Sequence, residues 1–212
     1  MMVWPDRLEV NVWLIICLQT GLLLFLQFGE QALPSSSKNA MFVARKTCHA
    51  GSGLLMLMLD ARDPIARSYV YLVVVTSMCL TWRLVPKWVP ALRFGDLYDW
   101  GITIYLAIVG CWFYAQLPAR ALAPLFFADP AGAVVGKFFS SRGINMIWWE
   151  NKTVAGTFAV FAFAFLSLDV PKVLPRVLLA VVCAFAEAFG GKTFDNLAIA
   201  VPVIGSWLYY NS

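Results

Sequence analysis

Residues 127–138 read F-A-D-P-A-G-A-V-V-G-K-F, and this stretch decides the fold. It interrupts the long apolar run 119–139 with an aspartate near its middle. A carboxylate facing lipid at that depth costs about 2.5–3.5 kcal/mol on insertion scales. Asp129 therefore faces a protein interior or a wet cavity. Pro130 lacks a backbone donor and disfavours the helical conformation of the residue before it. The expectation is a helix that breaks here and restarts at Pro130, with Asp129 as its N-cap. Gly132 and Gly136 follow at the four-residue spacing of small residues in helix contacts, within the chain or between chains. Lys137 comes next.

The rest of the chain agrees with a membrane setting. Of 212 residues, 61% are hydrophobic and only 13% charged, and the mean hydropathy is +0.74. A soluble domain of this length carries about a quarter charged residues. Nine Trp, seven Tyr and sixteen Phe supply aromatic anchors for bilayer interfaces. The reading is all-α: a polytopic transmembrane helical bundle of about seven or eight helices, multi-pass, in one domain over 1–212. Apolar segments at 10–28, 40–59, 66–85, 100–117, 119–139, 154–168, 173–189 and 196–210 predict the helices. The net charge of +4 is dispersed through short loops, which argues against a nucleic-acid partner. Cys17, Cys48, Cys79, Cys111 and Cys183 stand singly and read as small membrane-buried hydrophobes. The amino terminus lacks the basic start and small-residue cleavage site of a signal peptide, so the first run reads as a retained helix.

Basic residues divide unequally if all the segments span. Lys38, Arg45, Lys46, Arg83, Lys87, Arg93, Lys137, Arg142, Lys152 and Lys192 fall on one face. Arg7, Arg62, Arg67, Arg120, Lys172 and Arg176 fall on the other. The first face is expected to be cytoplasmic. It also carries every unusual polar cluster: R-K-T-C-H from residue 45, the Asp129 turn, the loop 145–152, and K-T-F-D-N from residue 192.

Each cluster has its own chemistry. Arg45, Lys46 and His49 share a helix face and suit a cationic cradle for phosphate beside a neutral base. They equally suit snorkelling cations with an incidental imidazole. Lys152, Thr153, Gly156 and Thr157 stand at a helix start, where backbone donors favour anions. A plain helix start explains them as well. N-K-T fits a glycosylation sequon but lies on the face assigned to the cytoplasm. Glu187, Asp195 and Asn196 are hard oxygen donors of the kind that hold Mg²⁺ with substrate phosphates. Asp195 also reads as an N-cap of the last helix, and Pro202 is expected to kink that helix.

In order, R-K-x-x-H, A-D-P-A-G-A-V-V-G-K, N-K-T-V-A-G-T and E-x7-D-N-x5-P resemble the polyprenol kinase family. That family comprises phytol and farnesol kinases, dolichol kinases and CTP-dependent diacylglycerol kinases, with a more distant relation to phosphatidate cytidylyltransferases. The resemblance covers residues 45–202. The family's G-D-x-x-A-x-x-x-G pattern falls on Asp129, Gly132 and Gly136, with Ala128 in place of glycine. Its K-[ST]-x-E-G-[ST] pattern falls on Lys152, Thr153, Gly156 and Thr157, with Ala155 in place of the acid.

The resemblance implies a membrane enzyme that phosphorylates a lipid alcohol (phytol, farnesol, dolichol or diacylglycerol). The donor is CTP or ATP, with Mg²⁺. Charge and position within that framework assign Asp129, Glu187 and Asp195 as metal ligands with Asn196 in support. Lys137, Arg142 and Lys152 would bind the triphosphate, within a binding set that includes Gly132, Gly136, Thr153 and Gly156. Arg45 and Lys46 would steady the transferring or leaving phosphate. His49, or alternatively Asp129, would act as general base. Two other readings stay open: a cytidylyltransferase making a CDP-lipid, and a small transporter using Asp129, Glu187 and His49 as an intramembrane relay.

Overall fold

A computed structural model describes residues 10–29, 38–92, 95–144, 146–191 and 193–211, with the side chains of 38–40 excepted. Arg7, Arg93, Asn145 and Lys192 lie outside the described residues, and only the backbone of Lys38 is described. The fold is all-α: the described residues form α1 (Val12–Phe28), α2 (Lys38–Met56), α3 (Pro64–Thr81), α4 (Trp100–Tyr114), α5 (Ala123–Ser140), α6 (Val154–Ser167), α7 (Val173–Phe189) and α8 (Asp195–Asn211). A short 3-10 helix, Ala119–Leu122, leads into α5. The sequence reads as one domain; the chain falls into two compact units, Pro5–Ala119 and Arg120–Ser212.

Helix starts follow local side-chain chemistry. Asn11 Oδ1 accepts the N–H of Trp13 at 2.9 Å and opens α1. Asp63 accepts the N–H of Ile65 at 2.7 Å, with Pro64 at the first helical position of α3. Asp99 accepts the N–H of Ile102 at 3.0 Å and opens α4. Such caps satisfy donors that the helix itself leaves unpaired.

In the first unit, α3 packs on α4 and α1 on α2. The Trp82 indole donates to Thr103 Oγ1 at 2.9 Å and meets Trp100 edge-on at 4.9 Å. In the second unit, α5 packs on α6, α6 on α7, α7 on α8, and α8 back on α5. The α5–α6 contact is the closest. A β-carbon on Gly156 would lie 2.9 Å from the Gly132 carbonyl oxygen and 3.5 Å from Gly136 Cα. The Gly132-x-x-x-Gly136 spacing thus serves helix packing inside the chain.

Two expectations are corrected. α5 does not break at Asp129; it runs through Pro130, with both residues buried. A proline removes one donor and crowds one carbonyl, at a cost of about 3 kcal/mol. The long buried face of α5 against α6 outweighs that single defect. Asp195 is the first residue of α8 rather than its cap, because the Phe194 carbonyl already accepts the N–H of Ala198 at 2.8 Å. Pro202 lies inside α8, as the sequence placed it.

The segment expected as a plain loop carries a small hairpin. Strand β1 (Ile147–Trp149) pairs antiparallel with β2 (Lys152–Thr153). Glu150 makes the turn with φ of 43°. Trp148 fastens the hairpin: its indole donates to Thr157 Oγ1 at 2.8 Å and its ring meets Phe185 and Phe189 edge-on.

Among the described residues, two helical stretches, Pro64–Thr81 and Ala119–Ser140, are long and apolar enough to cross a membrane. More than half of the second is buried among the protein's own side chains. Val12–Phe28, Trp100–Tyr114 and Val154–Ser167 are apolar but shorter.

Candidate functional site

Three carboxylates converge in the second unit. Asp129 from the middle of α5, Glu187 from the last turns of α7 and Asp195 from the start of α8 each present an oxygen, all within 4.8 Å of one another. Asp129 and Glu187 are buried, and Asp195 is half-buried.

The placement has local causes. Because α5 continues through Pro130, Asp129 sits on a regular helix, between the buried side chains of Ala128 and Pro130. Glu187 lies on the buried stripe of α7 with Ala180, Cys183, Ala184 and Ala188. Gly190 then lets the chain turn tightly: a β-carbon there would stand 2.9 Å from Asp195 Cα. Gly191, at φ of 67°, takes the left-handed conformation that glycine adopts most easily. This turn brings Asp195 back toward Glu187. At the first turn of α8 its carboxylate accepts the N–H of Asn196 at 2.8 Å, where the helix dipole favours negative charge.

Three like charges this close repel. At an effective dielectric of about 20, two unit charges near 5 Å repel by about 3 kcal/mol. Lys152 offsets part of this, since its Nζ donates to Glu187 Oε1. Next to Asp195, Asn196 is buried, and its side-chain oxygen has no hydrogen-bond partner in the protein. Carboxylates with an amide oxygen, and no sulfur or imidazole among them, form a hard-cation donor set. The three carboxylates could hold a hard cation such as Mg²⁺, and the unpaired oxygen of Asn196, next in the chain to Asp195, is compatible with that.

The remaining predicted site residues take these places. Thr153 caps α6, its Oγ1 accepting the N–H of Gly156 at 3.2 Å. That hydroxyl also fills the space beside Gly136, where a β-carbon would approach it to 2.7 Å. Lys137 is exposed in the last turn of α5. Arg142, in the exposed turn after α5, lies 3.7 Å over the Phe138 ring. Arg45, Lys46 and His49 stand together on α2 in the first unit. The Arg45 guanidinium binds Asp99 at 2.8 Å and Asp96 at 3.4 Å, so its described partners are carboxylates at the start of α4. The His49 ring lies 4.5 Å from Tyr105, edge-on.

The second unit thus joins three polar clusters that the sequence spreads from residue 129 to residue 196. Sequence reasoning missed the Lys152–Glu187 pair and the hairpin that carries Lys152. The run Ile147-Trp148-Trp149 is rich in strand-favouring residues, but which side chain turns inward is seen only in the structure.

Comparison with known protein families, characterised proteins and solved structures returns no match for this chain.

Proposed function

We propose that the chain is a multi-pass membrane enzyme that transfers a phosphoryl group from a nucleoside triphosphate, CTP or ATP, to a lipid alcohol. The observation that carries this reading is the convergence of Asp129, Glu187 and Asp195, with Lys152 bound to Glu187. Phosphoryl transfer depends mainly on positioning and on neutralising charge that develops on phosphate oxygens. A cation held by the three carboxylates, with Asn196 in support, supplies that neutralisation. Lys152 adds positive charge at the same place, and Lys137 with Arg142 adds exposed cationic groups at the end of α5. The buried wall of α5, α6 and α7 keeps Asp129 and Glu187 away from bulk water, which strengthens every charge interaction there.

The membrane setting has two supports. One is the pair of helical stretches of spanning length. The other is the outward apolar face of α7, where Leu174, Leu178, Val182, Phe185 and Phe189 are exposed. So much exposed apolar surface marks contact with a membrane or a partner. A lipid tail lying along such a face would leave its hydroxyl free to reach the polar cluster from the bilayer.

The test is a transfer assay on purified protein in mixed micelles. It supplies γ-labelled CTP or ATP, Mg²⁺, and a panel of prenols and diacylglycerol. Label in a lipid phosphate, lost in Asp129→Asn, is the expected result. A CDP-lipid formed from α-labelled CTP and phosphatidate, without γ-label transfer, replaces this reading with cytidylyl transfer. Neither product from folded protein overturns both.

A further inference from the structure

The ammonium of Lys152 touches Glu187, one of three carboxylates whose oxygens lie within 4.8 Å of one another. We propose that Lys152 is a built-in placeholder: its ammonium holds Glu187 while the cluster lacks a cation, and it gives way when a divalent cation binds there. This inference rests on the cation-site reading above and extends it to how the site is kept and opened.

Three features carry it. The first is electrostatic. Glu187 is buried, and a buried carboxylate without a partner is strongly unfavourable. A divalent cation coordinated by the same carboxylate would repel an ammonium held against it. The lysine is therefore favourable before the cation binds and unfavourable afterwards.

The second feature is mechanical. Glu187 is fixed on the buried face of α7, whereas Lys152 belongs to a two-residue strand whose hairpin turn is exposed. Only 8% of the Glu187 side chain is exposed, against 18% for Lys152, so the lysine is the partner with the open route. A lysine stem is flexible, and its compact ammonium can swing away without moving a helix.

The third feature is independent of the acids. The Asn196 side-chain oxygen is more than nine-tenths buried and has no hydrogen-bond partner in the protein. Buried polar groups are nearly always paired. The first turn of α8, which carries Asp195, therefore also holds a buried acceptor that the protein leaves unsatisfied.

Displacement leaves the ammonium at the start of α6, close to the newly bound cation. There it would attract an anion such as a phosphate group. Cation and phosphate binding are then reciprocally coupled, each strengthening the other.

The experiment uses the full chain in detergent micelles, with Mn²⁺ as the probe. Binding is read from the paramagnetic resonance of free Mn²⁺. Lys152 is followed by an amine-reactive label and peptide mass spectrometry, with Lys172 as the internal control. Labelling of Lys152 should rise about fivefold or more along the Mn²⁺ binding curve, with Lys172 unchanged. Lys152→Gln should bind Mn²⁺ about tenfold more tightly, within the usual range of coupling. Mn²⁺ binding with flat or falling Lys152 labelling overturns the placeholder and leaves the cation site standing. Absence of Mn²⁺ binding in both wild type and Lys152→Gln overturns the cation site itself. Should the variant fail to fold, the wild-type labelling decides alone.

Discussion

Gly156 and Gly132 meet so closely that a β-carbon on Gly156 would lie 2.9 Å from the Gly132 carbonyl oxygen. The obstacle is backbone, which cannot swing aside as a flexible side chain can. Gly156→Ala should therefore push α6 off α5 and destabilise the protein by about 1–3 kcal/mol, the range for overpacking. Thermal unfolding in detergent measures this. Gly21→Ala and Gly205→Ala serve as controls, since a β-carbon at either meets nothing within 4 Å. Both lie inside helices, so alanine should be neutral or stabilising by up to about 1 kcal/mol.

Lys152 and Glu187 should respond unequally to loss of charge. Lys152→Met removes the ammonium from the buried Glu187 in a cluster of three carboxylates. Removing one member of a buried pair costs about 3–5 kcal/mol. Glu187→Gln keeps a hydrogen-bond acceptor for Lys152 and reduces the repulsion, so its cost should be clearly smaller. Unfolding free energies measured in the presence of a chelator give the comparison. Adding Mg²⁺ should recover more stability in Lys152→Met than in Glu187→Gln, because a ligand stabilises by its binding to the folded state.

Trp148 should control the hairpin and, through it, Lys152. Trp148→Phe keeps an aromatic ring but loses the hydrogen bond to Thr157, worth about 0.5–1.5 kcal/mol, together with the packing of the smaller ring's missing atoms. Trp148→Ala also loses the ring contacts with Phe185 and Phe189. Each aromatic pair contributes about 0.5–1.5 kcal/mol beyond its burial, so the alanine variant should lose clearly more. Hydrogen exchange should show lost protection at residues 147–154 while the interior of α6 stays protected.

Asp99 does two things at the start of α4: it caps the helix and binds Arg45. Asp99→Ala should lose both, at about 1–3 kcal/mol. Asp99→Asn should keep the cap and lose the ion pair, and so fall between wild type and alanine. Arg45→Met should cost less in the Asp99→Ala background than in wild type, the remainder being its exposed contact with Asp96, which a double-mutant cycle by thermal unfolding reads directly.

Much of this fold was legible locally. Each predicted apolar segment corresponds to a helix, and the segment 119–139 contains the 3-10 helix and nearly all of α5. Helices of this length declare themselves through continuous apolar composition, whereas the caps at Asn11, Asp63 and Asp99 came from the structure. The continuity of α5 through Pro130 was not legible, because local rules weigh only the lost donor. They do not see the face that α5 buries against α6.

The sequence by itself determined which residues could carry chemistry: a carboxylate in an apolar run, two more beside a double-glycine turn, and a lysine before a helix. Those choices are written in residue type and short spacing, which act over a few residues of chain. Only the tertiary structure decided that Asp129, Glu187 and Asp195 share one cluster and that Lys152 lies on Glu187. Such juxtapositions depend on which helix faces pack together. Close packing at Gly132, Gly136 and Gly156 sets how near α5 and α6 approach, and the Gly190–Gly191 turn sets where α8 begins over the end of α7. Distances between side chains far apart in sequence follow from that packing, because burial of apolar surface is summed over whole helices rather than read from any one residue.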